Sequence, residues 1–172
     1  MFNAILALKE EFPTGQIMPV NHGGYKWKAR FEWQPPFGNA SVDHELNLQL
    51  PKDYLHFLKE LANGCIMFYD TEYGQWGYKI YSIEEIKSKQ ELWRSSLGER
   101  WKGRFVAFSE LYGEANVLLF DLDFPTQDLS SFAIREGNPY EISDNWPIVS
   151  RSFHEWLDHL ITAQGDKYWE WK

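Results

Sequence analysis

His154 and Glu155 open like the zinc-binding HExxH motif, the most suggestive chemical spacing in the chain. The next histidine is His159, five residues on instead of four. At about 100° per helical residue the two rings diverge by roughly 140°, so one helix turn does not stack them on a shared metal. His22, His44 and His56 form no ligand spacing either. The single Cys65 excludes an internal disulfide, and it comes after Gly64 at the start of an apolar run, the setting of a small buried thiol and not of an activated nucleophile. No P-loop or GxGxxG is present to bring backbone amides to a phosphate, and no G-x-S-x-G elbow to expose a serine. No catalytic residue, metal or cofactor is therefore expected.

Carboxylates are the other chemical resource. The 172 residues carry 25 acidic and 17 basic side chains, a net charge of −8. Residues 106–147 hold eight of the acids against one base, Arg135, a local balance of −7. Within this segment Leu118, Phe120, Leu122 and Phe124 alternate to one side of a strand. Asp121 and Asp123 share the other side near its end, placed to meet a cation or a basic partner, or to cap the turn before Pro125. A regional field of one sign steers an oppositely charged protein. It argues against direct nucleic-acid binding, because phosphate backbones require positive surface. Nine Trp, nine Tyr and twelve Phe also raise carbohydrate binding or a two-carboxylate glycosidase as a reading. The aromatic and basic residues of 25–33 fall on opposite faces, unlike a base-stacking platform. No run approaches the roughly 18 apolar residues of a membrane span, and MFNAILALKEEF lacks the features of a signal peptide, so a cytoplasmic protein is expected.

The elements that must position these residues are set by periodicity. Phe2, Ile5, Leu6 and Leu8 predict a short helix over 2–11, ended by Pro13 and Gly15. Tyr25, Trp27, Ala29, Phe31 and Trp33 alternate with charged residues, and Val42, His44, Leu46, Leu48 and Leu50 repeat the period. With Pro35, Pro36 and Gly38 between them, these segments predict an N-terminal β-hairpin within 13–49. Pro51, then Tyr54, Phe57, Leu58 and Leu61, predicts a helix over 51–62, stopped by Asn63-Gly64. Ser82 with Glu85, and Ser152 with Glu155, are capping boxes that open two further helices, closed by Gly98 and Gly165. Short apolar runs at 65–70, 77–81, 104–109, 115–122, 131–135 and 146–149 read as strands joined by turns. The class expected is α+β: a single domain over 1–172 with a twisted sheet, antiparallel or mixed, and about four helices.

The order of segments resembles the SUKH superfamily across residues 46–162. The resemblance is carried by Leu50-Pro51-Lys52-Asp53-Tyr54, Phe57-Leu58, Asn63-Gly64, the stretch from Gly77 to Ile86, the strand ending in Asp121, and Ser152-Phe153-His154-Glu155-Trp156-Leu157. The alternation of 42–50 departs from the helix that many members place before the LP element. The resemblance implies an α+β fold and a non-catalytic role. In bacterial members that role is often neutralising a cognate toxin, frequently a nuclease with a basic surface; in the fungal branch it is regulation of cell-wall assembly. On this reading Asp70, Glu72, Tyr73, Trp76, Asp121 and Asp123 are the expected partner contacts, the acids steering and the aromatics anchoring.

Overall fold

Alternating strands separated by tight turns assemble into one antiparallel meander. The computed structural model describes residues 2–22, 25–38, 50–101, 103–125 and 130–171, without the side chains of 21, 22 and 25. Its strands are β1 (Ile17–His22), β2 (Tyr25–Trp33), β3 (Cys65–Asp70), β4 (Tyr78–Ile80), β5 (Phe105–Leu111), β6 (Val117–Pro125), β7 (Phe132–Gly137) and β8 (Ile148–Ser150). They form an eight-stranded sheet in chain order, with every pairing antiparallel. The described helices are α1 (Asn3–Glu11), α2 (Lys52–Glu60), α3 (Ile83–Leu97) and α4 (Phe153–Thr162). The α+β expectation holds, and the sheet, expected to be mostly antiparallel, is antiparallel at every pairing among the described residues.

The N-terminal hairpin has a different composition from the one expected. β2 pairs with β1 on one side and β3 on the other, so both of its edges are occupied by segments other than 42–50. Ile17–His22 carries Pro19 and no clean alternation, which hides it as a strand; an edge position tolerates that proline. The expected strand at 42–49 lies outside the described residues.

Local signals place the helices. In α3, Ser82 Oγ accepts from Glu85 N–H and Glu85 returns the bond to Ser82 N–H, closing the capping box. Asn63 adds to this junction, its Oδ1 accepting from Ile83 N–H at 3.1 Å. Gly64 has φ +93°, and a Cβ there would lie 2.8 Å from Ser82 N, so the Asn-Gly turn needs its glycine. In α4, Ser152 accepts from Glu155 N–H, but Glu155 turns back to Ser150 Oγ and Arg151 N–H, so the reciprocal half of the expected box is displaced by one residue.

The aromatic residues build the core between the helices and the sheet. Phe108 and Phe120 stack at 4.3 Å, Trp156 of α4 meets Phe108 at 5.3 Å, and Tyr54 of α2 meets Phe153 at 4.8 Å. Phe2 extends the cluster to α1 through Phe57 and Phe153. Leu6, one of the residues that predicts α1, is exposed. The opposite face is covered over β5–β7 by α3 and the segment before β8, where Trp93, Trp101, Phe105 and Trp146 form a chain of ring contacts. Each aromatic ring of this size buries a large apolar area, so these rings carry much of the cohesion. Of the nine tryptophans only Trp171 is exposed, which makes the aromatic composition chiefly core material.

Candidate partner-binding surfaces

The six expected contact residues separate into two groups at opposite ends of β5. Phe105 pairs with Asp121 at one end and Leu111 with Tyr78, beside the 71–77 turn, at the other. At about 3.4 Å per residue the ends lie about 20 Å apart.

In the turn, two residues build and two present. Asp70 is buried, and its carboxylate accepts from Glu72 N–H at 2.9 Å and Tyr73 N–H at 3.3 Å, an Asx turn that fixes the backbone. Trp76 is half-buried and donates its indole N–H to Gly165 O at 3.0 Å, tying the turn to the segment after α4. Glu72 and Tyr73 are left outside, Tyr73 with 73% of its surface exposed. Asp70 and Trp76 therefore fix the turn from inside, and Glu72 and Tyr73 are its exposed residues.

At the strand end the division is sharper. Asp121 is fully buried, which withdraws it from direct contact with a partner, contrary to the sequence expectation. Arg104 grips it with two parallel bonds at 2.7 and 2.8 Å, and Arg135 Nε adds a third at 2.5 Å. Burial pushes the Asp121 carboxyl up, but the bonds from Arg104 and Arg135 outweigh it and hold the group below the usual carboxylate range. Arg135 also donates to Trp146 O. Phe124 breaks the alternation expected of it. The register shifts between Asp121 and Pro125, and the ring stands over the Arg135 and Arg104 guanidiniums at 5.1 and 5.6 Å, about half exposed.

Arg104 carries this anchoring outward. Its Nη1 donates to Asp144 at 2.6 Å and its Nε lies 3.1 Å from Asp123, two carboxylates whose side chains are 84% and 64% exposed. They rim a polar groove of about 540 Å³ that also takes in Arg100 and Ile142. Asp123 is thus a surface acid as expected. Asp144, which the strand alternation does not single out, joins it through the same arginine.

Part of the acidic balance of 106–147 is met in space by bases from outside the segment. Glu110 pairs with Lys89 at 3.1 Å, and Glu114 and Glu136 pair with Lys167 at 2.6 and 2.7 Å. Glu136 is buried. Burial raises its carboxyl, and hydrogen bonds from Lys167, Asn116 and Trp169 more than reverse that, leaving it below the usual range. Asp123 and Asp144, although bonded to Arg104, reach solvent, and Glu141 is a further exposed acid of the segment.

Sequence reasoning also left Asp53 without a role. Its carboxylate accepts from Ser131 Oγ and from His154 N–H at 3.1 Å, which fastens α2 to the first turn of α4. His154 lies against Phe2 at 5.1 Å and His159 against Tyr168 at 5.0 Å. Cys65 is buried, and desolvation pushes its thiol up, away from thiolate chemistry. Among the described residues no group of three His, Cys, Asp or Glu is placed to hold a metal ion, and no helix is long and apolar enough to cross a membrane.

The chain belongs to the SMI1/KNR4 family (SUKH-1), which matches residues 40–159. It is also similar to the uncharacterised protein YobM of Bacillus subtilis (strain 168), at 27% identity over 140 residues covering 77% of this chain and 68% of that protein. The SUKH resemblance is therefore borne out, and membership supports a protein-interaction or immunity-type role.

Proposed function

We propose that this chain is a cytoplasmic immunity-type protein that binds a cognate bacterial toxin domain with a basic surface and holds it inactive without catalysing a reaction. The observation that carries this reading is membership of the SUKH-1 family across residues 40–159. The geometry suits it. Asp123 and Asp144 are exposed yet already oriented by Arg104, so less side-chain freedom is lost when a partner lysine or arginine meets them. Asp121 is the positioning residue behind that pair, and Glu72 with Tyr73 forms a separate contact at the other end of the sheet.

Co-expression with the toxin domain encoded beside its gene tests the reading: growth is restored by the wild-type chain. Asp123→Lys combined with Asp144→Lys slows association about tenfold or more at low salt and flattens its salt dependence. Failure to restore growth against an active neighbouring toxin would sink the immunity reading and favour the regulatory scaffold role of the fungal branch.

A further inference from the structure

The family match begins at residue 40, so β1 and β2 lie outside it, and a cavity of about 780 Å³ opens where this hairpin meets the 71–77 turn. The volume is that of a site for a few residues of peptide. Pro19 and Trp27 supply apolar wall, and exposed Lys26, Lys28 and Glu72 complete the lining. The two walls are pinned together, because Thr71 donates to Lys28 O through both its N–H and its Oγ1, each at 3.1 Å. The cavity is therefore part of the framework of the fold.

Its charge is opposite to that of the Asp123–Asp144 surface. Arg30, farther along β2, is engaged by Glu32 at 3.0 Å and stacked on Tyr69, whereas Lys26 and Lys28 engage no carboxylate among the described residues. In a chain of net charge −8, strand alternation puts these two lysines on one face of β2 and the half-buried Trp27 on the other, so an extended segment lying along β2 before its first β3 pairing at Ala29 can set carboxylates on one face and an apolar side chain on the other. A polynucleotide is a poor match, since the rest of the surface repels its backbone.

We infer that the junction between the added hairpin and the SUKH-1 domain is a second binding site, which takes an extended acidic-apolar segment of a partner protein: the apolar side chain against Trp27, the carboxylates on Lys26 and Lys28. This site does not rest on the toxin reading and is separate from the Asp123–Asp144 surface, although Glu72, a proposed toxin contact, is among its lining residues.

The test is fluorescence polarisation of the whole protein with a labelled, end-capped peptide of alternating leucine and glutamate, and with the same peptide carrying glutamine or lysine for glutamate. The expected result is saturable binding of the glutamate peptide, about tenfold tighter than the glutamine form, and lost about tenfold in Lys26→Glu with Lys28→Glu. Both lysines are exposed, so an unchanged thermal midpoint verifies that this variant folds. Trp27→Ala weakens all the peptides that retain leucine. The inference is overturned by absence of saturable binding to the wild-type protein, by equal affinity for the glutamate and lysine peptides, or by unchanged binding in the double-lysine variant. It is also overturned if a single-stranded DNA oligonucleotide binds this site as tightly as the peptide, or if the lysine substitutions abolish self-association instead of peptide binding.

Discussion

Arg135 and Glu136 are neighbours on β7, and strand alternation sends them to opposite faces of the sheet, each into a buried charged cluster. On one face Arg135 and Arg104 clasp Asp121, and the network continues through Arg104 to two solvent-exposed acids at a groove. On the other, Glu136 receives Lys167, Asn116 and Trp169, and the segment after α4 closes over it. One strand thus carries a charge cluster that opens to the surface and another that locks the C-terminal segment in place. The two differ in the groups beyond the buried charge: Asp123 and Asp144 rimming a groove in the first case, and in the second a lysine of the C-terminal segment that also reaches Glu114 and exposed Glu170.

The comparison breaks hardest at Lys167. Lys167→Met leaves Glu136 buried without its cation and is expected to cost about 3–5 kcal/mol in urea unfolding. Adding Glu136→Met should restore part of the loss, since an apolar pair of similar volume is tolerated where a lone charge is not. Asp121→Asn is expected to cost about 3 kcal/mol, toward the lower end, because Arg104 keeps Asp144 and Asp123 as partners. Gly137→Ala probes the Trp146 ring, whose residue accepts from Arg135 through its carbonyl: the new Cβ would collide with the indole, for a loss of about 1–3 kcal/mol. Asp144→Ala, at the exposed limit of the open cluster, should shift stability by no more than about 0.5 kcal/mol while slowing partner association.

Acid titration sharpens the same contrast. Asp121 and Glu136 both have folded values below their ordinary ones, so their stabilisation is complete above about pH 4–5 and is lost as pH falls through the lowered values. Asp53 works in the other sense. Burial, only partly offset by its bonds to His154, Ser131 and Tyr54, raises its carboxyl, so stability is lost as pH rises from its ordinary to its raised value. Unfolding measured from pH 3 to pH 6 should show a shallower acid limb in Asp121→Asn than in the wild-type protein, and the loss on rising pH removed in Asp53→Asn.

Local grammar makes most of the scaffold legible. The capping residues Ser82 and Ser152, the Pro51 start and the Gly64 stop are short-range signals, and the helices and the strand runs from 65 onward stand where they indicate. Features that depend on distant partners are hidden. β1 is masked by Pro19 and weak alternation, so periodicity alone pairs β2 with a different neighbour. Asp121 and Asp123 look equivalent as sequence, and only the long-range grip of Arg104 and Arg135 separates a buried anchor from a surface acid. The density of acids along 106–147 likewise says nothing about Lys89 and Lys167, which meet them from elsewhere in the chain.

The bond from His154 N–H to Asp53 joins residues 101 apart in a chain whose successive strands otherwise pair with their sequence neighbours. Hairpins of that kind close short loops and form quickly, whereas the Asp53 link requires the intervening meander to be laid down first. Assembly should accordingly run in two stages, with the central strands acquiring hydrogen-exchange protection before the amides at the start of α4. The LP element would then act as the latch that completes folding, and Asp53→Ala would accelerate unfolding far more than it slows refolding.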